Sequence, residues 1–365
     1  MGQKIVIRAD ASIQIGSGHI MRCLTLANEL KIHGAKVQFI CRNFPGQMKD
    51  LIHQHSHQVT LLPPSAPGDK PESENPAQIN WLGVPLQQDA EDTIKAMGNK
   101  TIDWLIVDHY GINHLWHKTL RNYTNKIMVI DDLADRKLNC DLLLDQTYGR
   151  KDKTYNYYVP EGCKVLLGSI YALLRPEFAL LRPKALTKRK SYNGIKCILV
   201  CMGGADPNNF TGKVLDGLSE IEWKQEPLVN VVLGGKAPHL SSIIKQAKSH
   251  HQKINVLSDV KNMAELMLEA DLAIGAGGTT SWERCALGLP ALIAVLAENQ
   301  KLIASTLENL GALKIWKDKH DLKKNLISTI NSREQWQMMQ TNASSICDAN
   351  GCARVAKELI SYDNY

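Results

Sequence analysis

A histidine set in a glycine turn is the first place where this sequence could do chemistry. Gly16-Ser17-Gly18-His19 follows a short apolar run at 4–8 and a polar loop at 10–17. From Gly18 onward Ile20, Leu24, Ala27 and Leu30 recur at helical spacing on one face. The pattern predicts a strand, a turn and a helix, with His19 in the helix's first turn. Such a turn aims backbone N–H groups at whatever lies above the strand and places a titratable imidazole beside them. A helix N-terminus disfavours the protonated ring, so His19 is suited to act as a base near neutral pH. The same residues also fit a plain turn, in which the glycines serve backbone geometry and His19 is merely exposed.

Other constellations invite the same question. Gly277, Gly278, Thr279 and Thr280 lie between an apolar strand at 271–275 and a helix at 280–287, where N–H groups and the macrodipole favour a phosphate. Glu283 has two readings. Thr280-x-x-Glu283 is the spacing of a capping box, and a carboxylate at that position could instead accept from ribose hydroxyls. Glu298-Asn299-Gln300 follows the next strand, at 291–295, again at a crevice-facing end. Asp108-His109-Tyr110-Gly111 ends a strand at 104–107, and strand ends in open α/β sheets face the ligand crevice. Asp131-Asp132 ends a strand at 126–130 and fits turn capping ahead of a divalent metal. His53, His55 and His57 alternate, but no carboxylate or cysteine completes a metal shell, so a solvated helix end and turn is expected. Trp81 follows an insertion at 63–80 that holds five prolines. It either covers a substrate or anchors that insertion.

The elements that position these groups alternate along the chain. Strands are expected at 4–8, 36–41, 58–62, 104–107, 126–130, 142–144 and 164–167, with helices between them. Such alternation implies a parallel sheet wound by right-handed crossovers. A short helix is expected at 176–181. The stretch 183–193, with Lys184, Lys188, Arg189 and Lys190, then reads as an interdomain linker. A second strand–glycine–helix series follows, with strands at 196–201, 228–233, 254–257, 271–275 and 291–295. Gly203 and Gly204 close the first of these strands. Asp206 is expected as an N-cap, with Pro207 at the first helical position. The expected division is 1–183, 184–345 and a C-terminal helical segment, 346–365, packing across both.

Bulk properties narrow the class. The chain has 365 residues, so two domains of about 150 to 200 residues are the default. Hydrophobic residues make up 44% and charged residues 22%, as in a globular protein without membrane spans. The net charge of +6 is spread along the chain with no basic patch interleaved with aromatics; this argues against nucleic acid and allows an anionic small substrate. Nine cysteines without a Cys-x-x-Cys pair suggest a reducing compartment. No leader and no long apolar run is apparent, so a cytoplasmic protein without stable membrane association is expected, a monomer or weak dimer.

Together, Gly-Ser-Gly-His-Ile-Met-Arg at 16–22, Asp-His-Tyr-Gly at 108–111, Cys-Met-Gly-Gly-Ala-Asp-Pro at 201–207 and Gly-Ala-Gly-Gly-Thr-Thr-Ser-Trp-Glu-Arg-Cys at 275–285 resemble the UDP-2,4-diacetamido-2,4,6-trideoxy-β-L-altropyranose hydrolases of pseudaminic acid synthesis. The resemblance covers most of residues 4–310. The second half alone is similar to many two-domain GT-B glycosyltransferases. The resemblance implies an α/β GT-B fold, two Rossmann-like domains with mainly parallel sheets facing a central cleft, and needs no cofactor or metal. It makes His19 the general base and Tyr110 a sugar-site aromatic. It puts Glu283 on the uridine ribose, Gly277, Gly278, Thr279 and Thr280 around the diphosphate, Asn299 and Gln300 beside it, and Gly203, Gly204 and Val260 along the nucleotide. Position alone assigns Asp10, Gly18, Arg22, Asp108 and Arg175 to the sugar side. The implied reaction is water attack at the anomeric carbon with inversion, releasing UDP and free sugar. Rival readings are transfer to an acceptor other than water, a nucleotide-sugar sensor without turnover, and attack at phosphorus.

Overall fold

The computed structural model describes residues 2–65, 81–298 and 300–362. Most of the insertion at 63–80, and Asn299, lie outside the described residues. The chain forms two compact units, one of residues 1–173 with 351–365, the other of residues 174–350.

The first unit is a seven-stranded sheet. Its strands are β1 (Lys4–Ala9), β2 (Lys36–Arg42), β3 (Gln58–Leu62), β4 (Ile102–Asp108), β5 (Thr124–Ile130), β6 (Leu142–Asp145) and β7 (Lys164–Leu167), in the spatial order β3-β2-β1-β4-β5-β6-β7. All of its pairings are parallel. The winding reverses between β1 and β4, and Ala9 stands opposite Asp108 in their register. That places the loop carrying Asp10 and the loop carrying His109 and Tyr110 side by side at a topological switch point, where open α/β sheets bind ligands. Helix Gly18–Ile32 buries Ile20, Cys23, Leu24, Ala27 and Leu30 against the sheet. The C-terminal helix Gly351–Ser361 packs on it through Val355, Ala356 and Leu359. A Cβ at Gly351 would come within 2.4 Å of the Ala172 backbone, so only glycine admits this approach.

The second unit repeats the plan with six strands. These are β8 (Cys197–Cys201), β9 (Leu228–Leu233), β10 (Ile254–Ser258), β11 (Leu272–Ala276), β12 (Ala291–Ala294) and β13 (Leu313–Ile315), in the order β10-β9-β8-β11-β12-β13. Every pairing is again parallel, and the reversal falls between β8 and β11. The glycines after β8 and β11 therefore occupy this unit's switch point.

Two expectations need correction. The basic stretch read as a linker is the second half of a helix, Pro176–Arg189, which tolerates Pro183 in its interior. The chain divides earlier, after Leu173. Arg182 donates to the carbonyls of Ala286 and Ser344, and the buried Arg189 to those of Met267, Ala270 and Leu287. Both arginines thus occupy carbonyls at and beyond the C-terminal ends of neighbouring helices, which otherwise lack partners. Burial lowers the Arg189 pKa to about 10. The helix after β8 starts at Phe210, with Asn209 as its N-cap, rather than at Pro207. Asp206 still serves this end: its carboxylate accepts from Phe210 N at 2.9 Å and Thr211 N at 2.8 Å.

Candidate functional site

His19 stands at the C-terminal edge of the first sheet, in the first turn of helix Gly18–Ile32. The turn before it closes by a bond from Gly16 N to Ser12 O, with Gly16 at φ +81°, a conformation that favours glycine. Nothing lies within 4 Å of where a Gly18 side chain would begin. His19 Nδ1 is 2.6 Å from Asp108 Oδ1. Arg22, one helical turn on, grips the same carboxylate with Nε to Oδ2 and Nη2 to Oδ1, both at 2.6 Å. Burial alone would raise the Asp108 carboxyl, but Arg22 and His19 outweigh it and hold the group well below the usual carboxylate range. An ionised Asp108 makes Nδ1 the protonated nitrogen. The lone pair then sits on Nε2, which has no partner among the described residues. An orienting carboxylate, a fixed tautomer and a free second nitrogen are the parts of a general base.

Tyr110 and Trp81 flank the imidazole. The Tyr110 ring meets His19 edge-on at 4.8 Å between centroids, and Trp81 at 5.9 Å. Tyr110, expected to face the sugar, is 5% exposed, and its hydroxyl donates to Asp132. Asp132 is also 3.7 Å from Arg22 Nη1. Trp81 lies over Tyr110 at 5.2 Å, tilted by 32°, and stays partly exposed.

Asp10 is fully buried at the end of β1. It accepts from Arg8 Nη1 and from Arg42 N, both at 2.6 Å. Its other oxygen faces His109 Nε2 at 3.3 Å, and Gly111 N donates to His109 Nδ1 at 3.0 Å. Burial alone would raise its carboxyl, yet Arg8 and His109 hold it below the usual range. Asp10 therefore ties the β4 loop to β1 and β2. Behind it, Arg8 and Arg42 share Asp89, and Arg42 also meets Asp92 at 3.1 Å. The sequence reading missed this network. An arginine inside an apolar strand, here Arg8 within Lys4–Ala9, was the available signal, because a buried charge needs a partner.

Asp131 caps a turn, accepting from Ala134 N at 2.9 Å, and pairs with Arg136. His57 is buried against Asn28, and His55 contacts the same amide, whereas His53 is exposed. Among the described residues no cluster of three or more His, Cys, Asp or Glu could hold a metal ion.

In the second unit, the expected nucleotide loops are bonded to one another. Gly234 N donates to Gly204 O at 2.8 Å, and Gly235 N to Asp259 Oδ1 at 2.8 Å, beside Val260. Gly203 has φ +95°. Gly277, Gly278 and Thr279 lead into helix Thr280–Ala286, whose first N–H groups lack intrahelical acceptors. Arg284 braces the turn from beneath through Ala276 O at 2.8 Å. Gln300 lies beside Gly277, with its side chain accepting from Leu296 N at 2.9 Å. The capping-box reading of Glu283 does not hold, because the N-cap is Thr279 and makes no side-chain capping bond. Glu283 is instead 3.6 Å from Arg175, which this unit contributes, and its side chain is 16% exposed. Burial pushes its carboxyl above the ordinary value despite Arg175.

Two parallel α/β units, each with its glycine loops at a switch point, are the parts of the GT-B fold, which solved structures share. MurG of Acinetobacter baumannii superposes with a TM-score of 0.69 at 16% identity, over 98% of this chain and 99% of MurG. Residues 197–359 match the glycosyltransferase family 28 C-terminal domain. Among curated relatives, the chain is 26% identical to the UDP-2,4-diacetamido-2,4,6-trideoxy-β-L-altropyranose hydrolase of Campylobacter jejuni, over 84% of this chain and 97% of that one. It is 29% identical to an uncharacterised protein of Methanocaldococcus jannaschii over 82% of its own length, and spans 57% of that relative.

Proposed function

We propose that the chain hydrolyses a UDP-sugar at the anomeric carbon, with inversion, releasing UDP and a free 2,4-diacetamido-2,4,6-trideoxy sugar for nonulosonate synthesis. The observation that carries this is the His19–Asp108–Arg22 arrangement, which presents an Nε2 without a partner among the described residues at the sheet switch point. Nε2 takes a proton from water as the water attacks. Asp108 stabilises the imidazolium that forms, and Arg22 keeps Asp108 ionised. An imidazole with one nitrogen oriented and the other free suits this task. Direct attack needs no carboxylate nucleophile, unlike a double displacement.

The second unit holds UDP in this reading. N–H groups at Gly278, Thr279 and Thr280 stabilise the departing diphosphate, Glu283 accepts from the ribose, and Gly203, Gly204 and Val260 line the nucleotide. The name of the Campylobacter relative supports the substrate class. The match to a glycosyltransferase domain supports a second reading, transfer of the sugar to another acceptor. Incubation of the UDP-sugar with enzyme alone in ¹⁸O water separates the two. Rapid release of UDP and sugar labelled at C1 supports hydrolysis, no release without an acceptor supports transfer, and label in phosphate rejects anomeric attack.

A further inference from the structure

Most polar groups around the proposed base are committed to one another. Asp108 is held by His19 and Arg22, Asp132 Oδ1 by Tyr110, and Asp10 Oδ1 by Arg8 and Arg42 N, while Asp132 Oδ2 lies 3.7 Å from Arg22 Nη1. Tyr110 is both buried and hydrogen-bonded, so it is poorly placed to take up a sugar. Trp81 is different. It is partly exposed, lies against Tyr110, and stands at 88° to the His19 ring. Its neighbours fix it from below: Leu82 and Val84 are each 3% exposed in the core, and Gly83, at φ +74°, sits where a Cβ would fall 2.7 Å from the Phe44 ring. The segment is anchored by these residues, and among the described residues the indole keeps an exposed face.

We propose that Trp81 is the sugar-binding platform of this site, with Tyr110 as its backing, and that it selects sugars presenting an apolar edge. An indole packs well on C–H groups and methyls and offers one donor only. With most of the surrounding carboxylate oxygens and guanidinium nitrogens engaged, a hydroxyl laid on the indole face would lose a water partner, whereas a deoxygenated carbon or a methyl there would not. This proposal rests on the hydrolase reading for the identity of the sugar but not for its test.

The test is calorimetric binding in a His19→Asn background, so that the ligand survives. UDP-2,4-diacetamido-2,4,6-trideoxy-altrose, UDP-N-acetylglucosamine and UDP alone are titrated against that protein and against its Trp81→Ala and Trp81→Phe derivatives. Trp81→Ala should weaken the trideoxy ligand about tenfold and UDP-N-acetylglucosamine less, with UDP unchanged; Trp81→Phe should stay within about threefold. Equal weakening of all three ligands, or no change in any, overturns the proposal. If the otherwise wild-type enzyme hydrolyses no UDP-sugar, the proposed function falls, while the binding difference still decides the role of Trp81.

Discussion

His19 and Asp108 belong to different elements, a helix N-terminus and a strand C-terminus, yet His19 Nδ1 and Asp108 Oδ1 stand 2.6 Å apart. Parallel winding produces this. Because β1 and β4 are neighbours, the helix after β1 starts beside the end of β4. The carboxylate can therefore be tied to the imidazole without any local sequence motif linking the two.

Replacing Asp108 tests this pairing. Asp108→Asn should lower kcat roughly 10²–10⁴-fold with UDP inhibition unchanged, since an amide can hold the ring in the wrong tautomer. His19→Ala should fall in the same range. The double variant should lose little beyond the worse single one, because residues acting as a unit are not additive. Multiplicative losses in steady-state kinetics would mean that the two residues act separately.

Glu283 offers a test of the nucleotide site. If it accepts from ribose, Glu283→Gln should weaken UDP about ten- to a hundredfold by calorimetry, the loss expected for a hydrogen bond to a charged group. Arg175→Ala removes the cation 3.6 Å away and should also weaken UDP, because Arg175 opposes the burial that raises the Glu283 carboxyl. Unchanged UDP affinity in Glu283→Gln would return that residue to a structural role.

His117 should make the first unit sensitive to acid. Its ring is buried, its Nδ1 accepts from Asn139 N, and its Nε2 has no partner in the described structure. Burial, with the charges of Arg136, Arg121 and His114, lowers its pKa to about 3 from 6.5. Between those values the unfolded chain binds the proton and the native one does not, so stability falls as pH drops. The loss should be on the order of 3 kcal/mol by pH 4. His57, lowered to about 4, adds to it. Thermal melts at pH 7 and pH 4 check this. His117→Gln, which cannot titrate, should show a smaller drop than wild type.

How far the sequence was legible follows from the range of the interactions. The strands and the glycine turns were readable because period and turn chemistry are local; β3 and β7 fall at the residues expected. Asp108 was placed near the site by its strand end, but its role was not readable, since that depends on which strands become neighbours. Lys188 and Arg189 misled for the same reason. Charge in a run resembles a solvated linker until the helix ends that need capping are in place. Tyr110 was assigned by resemblance, and only packing shows that Trp81 covers it.

The last prediction concerns the buried ions beneath the site. Asp89 receives Arg8 Nη2 at 2.7 Å, Arg42 Nη2 at 2.6 Å and Trp116 Nε1 at 3.1 Å, all with negligible exposure. Asp89→Ala leaves two guanidinium groups short of an acceptor in the core and should destabilise by about 3–5 kcal/mol. Trp116→Phe removes one donor to a charged group and should cost about 1.5–3 kcal/mol from that bond. Urea unfolding with a common m-value reads both. The network also reaches the site, because Arg8 passes from Asp89 to Asp10, and Asp10 faces His109 in the loop that carries Tyr110. Asp89→Ala should therefore lower kcat even at temperatures where it stays folded, whereas Trp116→Phe should not. Equal activity in folded Asp89→Ala and wild type would confine the network to stability.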